Sequence, residues 1–257
     1  MISKSRIKSI RQLELKKFRR QIGLFVAEGP KVVGDLLEVM PAETLIGTDE
    51  WWTSHAPPTA AERIVVDDAE LRRVSFLQHP QQVMGIFRQP LVKEQPGEWA
   101  THIAHHLCLA LDDVQDPGNV GTIIRIADWF GIDTIYCSAA TADAYSPKVV
   151  QSTMGSIARV RIVVTDLLAL AKSLPHDVPI YGTVLDGEDI YSHGLTDRGL
   201  LVMGNEGNGI TPEMQSLLTH RLLIPNYPPG RPTADSLNVA IATAIACAEF
   251  RRPLARP

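Results

Sequence analysis

The chain has 257 residues, 45% of them hydrophobic and 21% charged, with a net charge of −4. That size predicts one or two domains, and that composition excludes a disordered, collagenous or rod-like coiled-coil protein. No run reaches the roughly 18 apolar residues of a membrane span, and the start lacks a secretory apolar core, so a cytoplasmic protein with no membrane partner is expected.

Residues 1–20 carry Lys4, Arg6, Lys8, Arg11, Lys16, Lys17, Arg19 and Arg20 against one acid, Glu14. This segment is therefore +7 and the remainder of the chain −11. A basic arm on an acidic body suits an anionic partner, and equally a solvated helical face. Ile7, Ile10 and Leu13 recur at three-residue steps, which predicts a helix over about 3–20. Residues 25–27 read as a strand. Pro30 suits the first turn of a helix striped by Val32, Val33, Leu36 and Leu37. Short strands follow at 45–47, 64–66 and 84–87, with Asp68 capping a helix that ends near Ser75. Residues 89–104 hold two prolines, a glycine and mixed charges. This composition marks a linker at 93–104, between a domain at 1–92 and one at 105–257.

The second domain opens with the continuous apolar run 107–111, as expected for a strand covered on both faces. The loop DDVQDPGN leads into a helix from about Val120 to Phe130, stopped by Gly131. Further strands are predicted at 134–137, 160–164, 179–185, 200–204 and 221–224. Helices are predicted at 147–154, 166–174, 212–219 and 237–251. Strands alternating with helices predict an α/β domain with a mainly parallel sheet. Cys108, Cys137 and Cys247 are odd in number and widely spaced. They predict buried free thiols, with neither a disulfide framework nor a metal site.

Ligands of open parallel sheets bind beyond the carboxyl ends of the strands, so polar loops after apolar strands are informative. Three stand out. LDDVQDPGNVGTIIRIADWFG, 111–131, concentrates acids, Pro117, Gly118 and Asn119 at a strand-to-helix turn; Arg125 and Asp128 also fit a surface ion pair. LLVMGNEGNGI, 200–210, places three glycines in six residues, which permits close backbone approach to a ligand and fits a bare tight turn as well. It matches neither GxxxxGK[ST] nor GxGxxG. In 221–252 a Pro-rich loop precedes an alanine-rich helix that Asp235 or Ser236 is placed to cap.

Taken together in this order, the three segments resemble the motifs of the SpoU (TrmH-like) family of RNA ribose 2′-O-methyltransferases in the SPOUT superfamily. A fourth segment, KKFRRQIGLFVAEGPKVVGDLL at 16–37, resembles that family's ribosomal-protein-like RNA-binding domain. The resemblance implies a trefoil-knotted C-terminal methyltransferase domain behind a smaller N-terminal α/β RNA-binding domain. It also implies a homodimer that uses S-adenosylmethionine, without a metal, to methylate a ribose 2′-hydroxyl, in ribosomal RNA rather than transfer RNA. The alternative is a catalytically silent RNA-binding or ribosome-assembly factor on the same fold.

Carried over residue by residue, the resemblance puts the methyl donor against Thr183, Gly204, Asn205, Glu206, Gly207, Ile224, Pro225, Leu237 and Asn238. It assigns catalysis to Arg125, Asn119, Glu206, Ser236 and Asn238, and RNA contact to Lys16, Lys17, Arg19, Arg20 and Arg231. Arginine is a poor literal base because its guanidinium stays charged. Stabilisation of the developing alkoxide by Arg125 therefore weighs at least as much. Two departures from the pattern stand out. The loop 226–235, with Tyr227 and Arg231, is about four residues longer than usual, and Ala240 stands where many members have Ser.

Overall fold

The computed structural model describes residues 2–54, 60–90, 96–228 and 231–252. It divides into two compact units, Met1–Leu91 with Asp143–Ala158, and Val92–Ala142 with Arg159–Pro257. No helix among the described residues is long and apolar enough to cross a membrane.

The first unit begins with α1 (Lys4–Arg11), a 3-10 turn (Gln12–Glu14) and α2 (Lys16–Ile22). The single helix expected over 3–20 is thus broken. Leu15 has extended backbone, and the carbonyls it frees, Leu13 and Glu14, accept from the Arg19 guanidinium at 2.7 and 2.6 Å. There follow β1 (Leu24–Glu28), α3 (Pro30–Val39), β2 (Ala42–Gly47), α4 (Asp49–Ser54), β3 (Ala60–Val65), α5 (Asp68–Val74) and β4 (Val83–Arg88). The sheet order is β1-β4-β2-β3, with β4 antiparallel to both neighbours and β3 parallel to β2. Asp67 caps α5, one residue before the expected Asp68, because its carboxylate reaches the Glu70 amide at 2.8 Å. Ile10, Leu13, Val26, Ile46, Leu71 and Ile86 form the core.

The second unit starts with α6 (Pro96–His105), which lies across most of the span read as a linker. Trp99 and Ile103, one helical turn apart, are buried, and the Trp99 ring lies 6.0 Å from Tyr136. The sheet is built from β5 (Leu107–Asp112), β6 (Thr134–Cys137), β7 (Arg161–Val164), β8 (Ile180–Asp189), β9 (Gly199–Gly204) and β10 (His220–Leu223). Its order is β10-β8-β9-β5-β6-β7, all parallel. β5 lies centrally and all six of its residues are buried, which is why it reads as an unbroken apolar run. The unit's further helices are α7 (Pro117–Trp129), α9 (Leu167–Ser173), α10 (Pro212–Gln215) and α11 (Val239–Arg251), while α8 (Pro147–Ser152) belongs to the first unit.

α7 begins three residues earlier than expected. Asp116 accepts from the Asn119 amide at 2.8 Å and Pro117 fills the first turn, so Asn119 belongs to the helix. α11 begins later than expected: its cap is Asn238, not Asp235 or Ser236. The sequence assigns 143–158 to the second domain, yet α8 packs on β1 of the first unit. Asp143 accepts from Arg19 at 2.5 Å, and the Tyr145 ring lies 5.1 Å from Phe25.

Candidate active site

The loops after β5 and β9 are tied together by side chains at the carboxyl ends of these parallel strands. Asp112, the last residue of β5, accepts from the Thr211 amide at 2.7 Å. Asp113 has φ +61, and its carbonyl accepts from Asn205 Nδ2 at 2.8 Å. Asn205 Oδ1 in turn accepts from the amides of Gly207 and Asn208 at 2.9 and 3.0 Å. Asn205 and Gly209 exchange both backbone hydrogen bonds at 2.9 Å, closing the turn. A Cβ on Gly204 would run into the backbone of Gly209 and Ile210, so the tight turn requires glycine there.

A chain of three polar side chains links the three motif loops. Asn119, in the first turn of α7, donates from Nδ2 to Glu206 Oε1 at 2.8 Å. Its Oδ1 accepts from Asn238 Nδ2 at 2.9 Å. Asn238 Oδ1 accepts from the Ala240 and Ile241 amides at 3.0 and 3.2 Å, capping α11. These bonds fix the amide orientation of both asparagines and hold Glu206 beside the glycine turn.

Next to this chain lies a cavity of about 440 Å³, within the roughly 300–1,000 Å³ of small-molecule sites. Met203, Ile210, Leu222, Ile224, Leu237 and Val239 supply its apolar wall. Three carboxylates line it, Asp186, Glu206 and Asp235, and no Lys or Arg is among the described lining residues. The Arg221 guanidinium, 2.6 Å from Asp186, holds that carboxyl below the usual range. Among the described residues no group of three or more His, Cys, Asp or Glu is placed to hold a metal ion.

Of the residues expected at the site, Thr183, Gly204, Asn205, Glu206, Gly207, Ile224, Ser236 and Leu237 line the cavity. Asn119 and Asn238 join it through hydrogen bonds, and Pro225 is outside the lining. Arg125 is exposed, outside the lining, and without a hydrogen bond or ion pair among the described residues. It lies six residues beyond Asn119 on α7, about 240° around the helix. Asp128 pairs with Arg159 at 2.8 Å, not with Arg125.

Lys17 and Arg20 are exposed, Lys16 is half-buried and Arg231 is exposed. Arg19 corrects the expectation of RNA contact: it is only 2% exposed, its guanidinium held by Asp143 and two backbone carbonyls. Sequence reasoning missed Asp112 and Asp113 as loop ties, and Leu185, Asp186, Ile210 and Val239 as lining. The paired acids at the end of an apolar strand were the available signal for the first two.

The model of the SpoU rRNA Methylase family matches residues 106–248, and that of the MRM3-like substrate binding domain matches 4–85. The chain is 30% identical to the 23S rRNA (guanosine(2553)-2′-O)-methyltransferase RlmP of Bacillus subtilis, over 93% of each chain. A TrmH-family structure from Porphyromonas gingivalis superposes with a TM-score of 0.86 at 39% identity, covering 98% of this chain and 99% of that one. The AdoMet-bound rRNA methyltransferase of Sinorhizobium meliloti superposes with a TM-score of 0.84 at 30% identity, covering 100% of this chain and 98% of that one. With both halves of the chain matched and a relative similar over nearly its whole length, this protein belongs to the SpoU rRNA methylase family of RNA methyltransferases.

Proposed function

We propose that the protein transfers the methyl group of S-adenosylmethionine to a ribose 2′-hydroxyl of ribosomal RNA, as a cytoplasmic homodimer with a knotted C-terminal unit. The observation that carries the cofactor reading is the cavity's charge. Asp186 is already paired with Arg221, but Glu206 and Asp235 have no paired cation among the described residues, and no Lys or Arg is among the described lining residues. This suits a ligand bearing a sulfonium and an ammonium group and disfavours the phosphates of a dinucleotide or nucleoside triphosphate. The size and apolar wall fit an adenosine. A relative that methylates a guanosine 2′-oxygen of 23S rRNA and an AdoMet-bound neighbour support the same reading.

When bound, S-adenosylmethionine supplies an already activated methyl group, so the protein's work is positioning and charge. Ile224 and Leu237 would hold the adenine by apolar contact, and the turn around Gly204 and Gly207 would bring backbone groups close to the ligand. Glu206, held by the Asn119–Asn238 pair, would face its cationic end. Ser236, on the cavity wall, would orient the ribose. Arg125 is the proposed stabiliser of the developing alkoxide: its guanidinium has no partner of its own among the described residues and is available to an oxyanion or phosphate.

The test is incubation with methyl-labelled S-adenosylmethionine and ribosomal RNA from cells lacking the gene, followed by mapping of ribose methylation. A single 2′-O-methylated nucleotide is expected. Arg125→Ala should bind the cofactor normally yet turn over roughly 10²- to 10⁴-fold more slowly. Label on a base, or none in RNA, would overturn the proposal.

A further inference from the structure

We propose that Tyr227 is a stacking platform for a nucleobase next to the reacting ribose, and so helps to hold the RNA at the site. The inference rests on the RNA-methylation reading and adds a substrate-binding residue to it.

Tyr227 is 87% exposed, and it makes no hydrogen bond or ring contact among the described residues. Its place in the chain ties it to the site. Ile224, three residues before it, lines the cavity, and so do Asp235, Ser236 and Leu237 on the returning side of the same loop. The loop is braced. Asn226 Nδ2 donates to the Arg231 carbonyl and to Thr233 Oγ1, both at 3.2 Å, and the Arg231 amide donates to the Pro228 carbonyl at 3.2 Å. Prolines at 225, 228 and 232 further limit the freedom these described stretches have to lose on binding. A large ring presented to solvent on a loop whose two ends line the cavity suits a flat ligand.

The chemistry narrows that ligand. The cavity offers no cation to RNA phosphates, so the backbone of the substrate must be met outside it. Arg231, exposed in the same loop, provides such a charge. Proteins that read RNA single strands pair an aromatic face for an unstacked base with a cation for the phosphate.

The probe is ribosomal RNA from cells lacking the gene. Tyr227→Ala should raise the KM for this RNA and weaken its equilibrium binding by roughly 10-fold, the scale of one lost base–aromatic stack. kcat and cofactor affinity should stay as in the parent, and Tyr227→Phe should restore both RNA readouts. Unchanged RNA binding and KM in Tyr227→Ala would overturn the proposal. So would failure of Phe to restore them, which would place the function in the hydroxyl. A changed oligomeric state in sedimentation of Tyr227→Ala would overturn it in favour of a contact between copies. If the parent binds this RNA without methylating it, the methylation reading falls and the binding comparison alone decides Tyr227. If the parent does not bind it, both fall.

Discussion

Arg19 shows how far a residue's job can stand from its charge. Its guanidinium reaches Asp143, whose side chain is 17% exposed, and closes the break between α1 and α2 by taking two carbonyls. Arg19→Ala would leave a mostly buried carboxylate and two backbone acceptors without their donor. Breaking a buried pair from one side costs about 3–5 kcal/mol, so Arg19→Ala should lower the urea midpoint by that equivalent with an unchanged slope. A loss within about 0.5 kcal/mol, the scale of an ordinary surface substitution, would contradict the role. Glu28 makes a pH-dependent contribution in the same unit. Burial pushes its carboxyl above its ordinary value of 4.5, against the opposing pull of Ser75, the Phe76 amide and Arg11. The folded chain therefore holds this proton more tightly than the unfolded chain. The stabilisation is present below the ordinary value and is lost as pH rises through the raised one. Glu28→Gln should flatten the pH dependence of unfolding in that window. An unaltered slope there would refute the assignment.

Among elements, the junction of α7 and α11 concentrates the most consequence in the fewest atoms. Asn238 caps α11 with its oxygen and steadies Asn119 with its nitrogen, so one side chain serves a helix and the site together. Asn238→Asp separates the two. Asp is as good a cap as Asn, so stability should change little. The donor to Asn119 is lost and a carboxylate takes its place beside the Asn119 oxygen, so turnover should fall at least 10-fold. Equal turnover in Asn238→Asp and the parent would show the Asn119–Asn238 bond to be dispensable. Most strands and helices of both units were legible in the sequence because their apolar periods are short and local; the six-residue α4 was not, being too short to show a period. The motif loops marked the cavity's rim. The cap positions were not legible to within a residue, because Asp67 and Asp68, or Asp235, Ser236 and Asn238, are chemically near-equivalent candidates. Which one caps depends on the backbone path into the helix. Nor was α6 legible, since Pro96 and Gly97 at its start advertise a linker while Trp99 and Ile103 are spent on the core.

For the whole molecule, net charge and domain order both needed the fold to be read correctly. Of the eight cations in residues 1–20, Arg6, Arg11 and Arg19 are engaged by Glu62, the Ser75 carbonyl and Asp143. Lys4, Lys8, Lys17 and Arg20 remain exposed and Lys16 half-buried, so the basic surface offered to RNA is smaller than the +7 suggests. The first unit also borrows chain from beyond the composition-marked boundary. Asp143 neutralises Arg19, Tyr145 packs on Phe25, and Val149 and Val150 of α8 are fully buried. Composition registers a boundary where polar residues cluster, whereas this excursion is made by apolar residues that look like any other helix. A fragment of residues 1–92 therefore lacks the counter-charge of a buried arginine and the apolar cover of β1. It should show no cooperative thermal transition alone and gain one when a peptide of residues 143–158 is added. A cooperative melt without the peptide, at a midpoint the peptide does not move, would mean that the first unit folds without its borrowed segment.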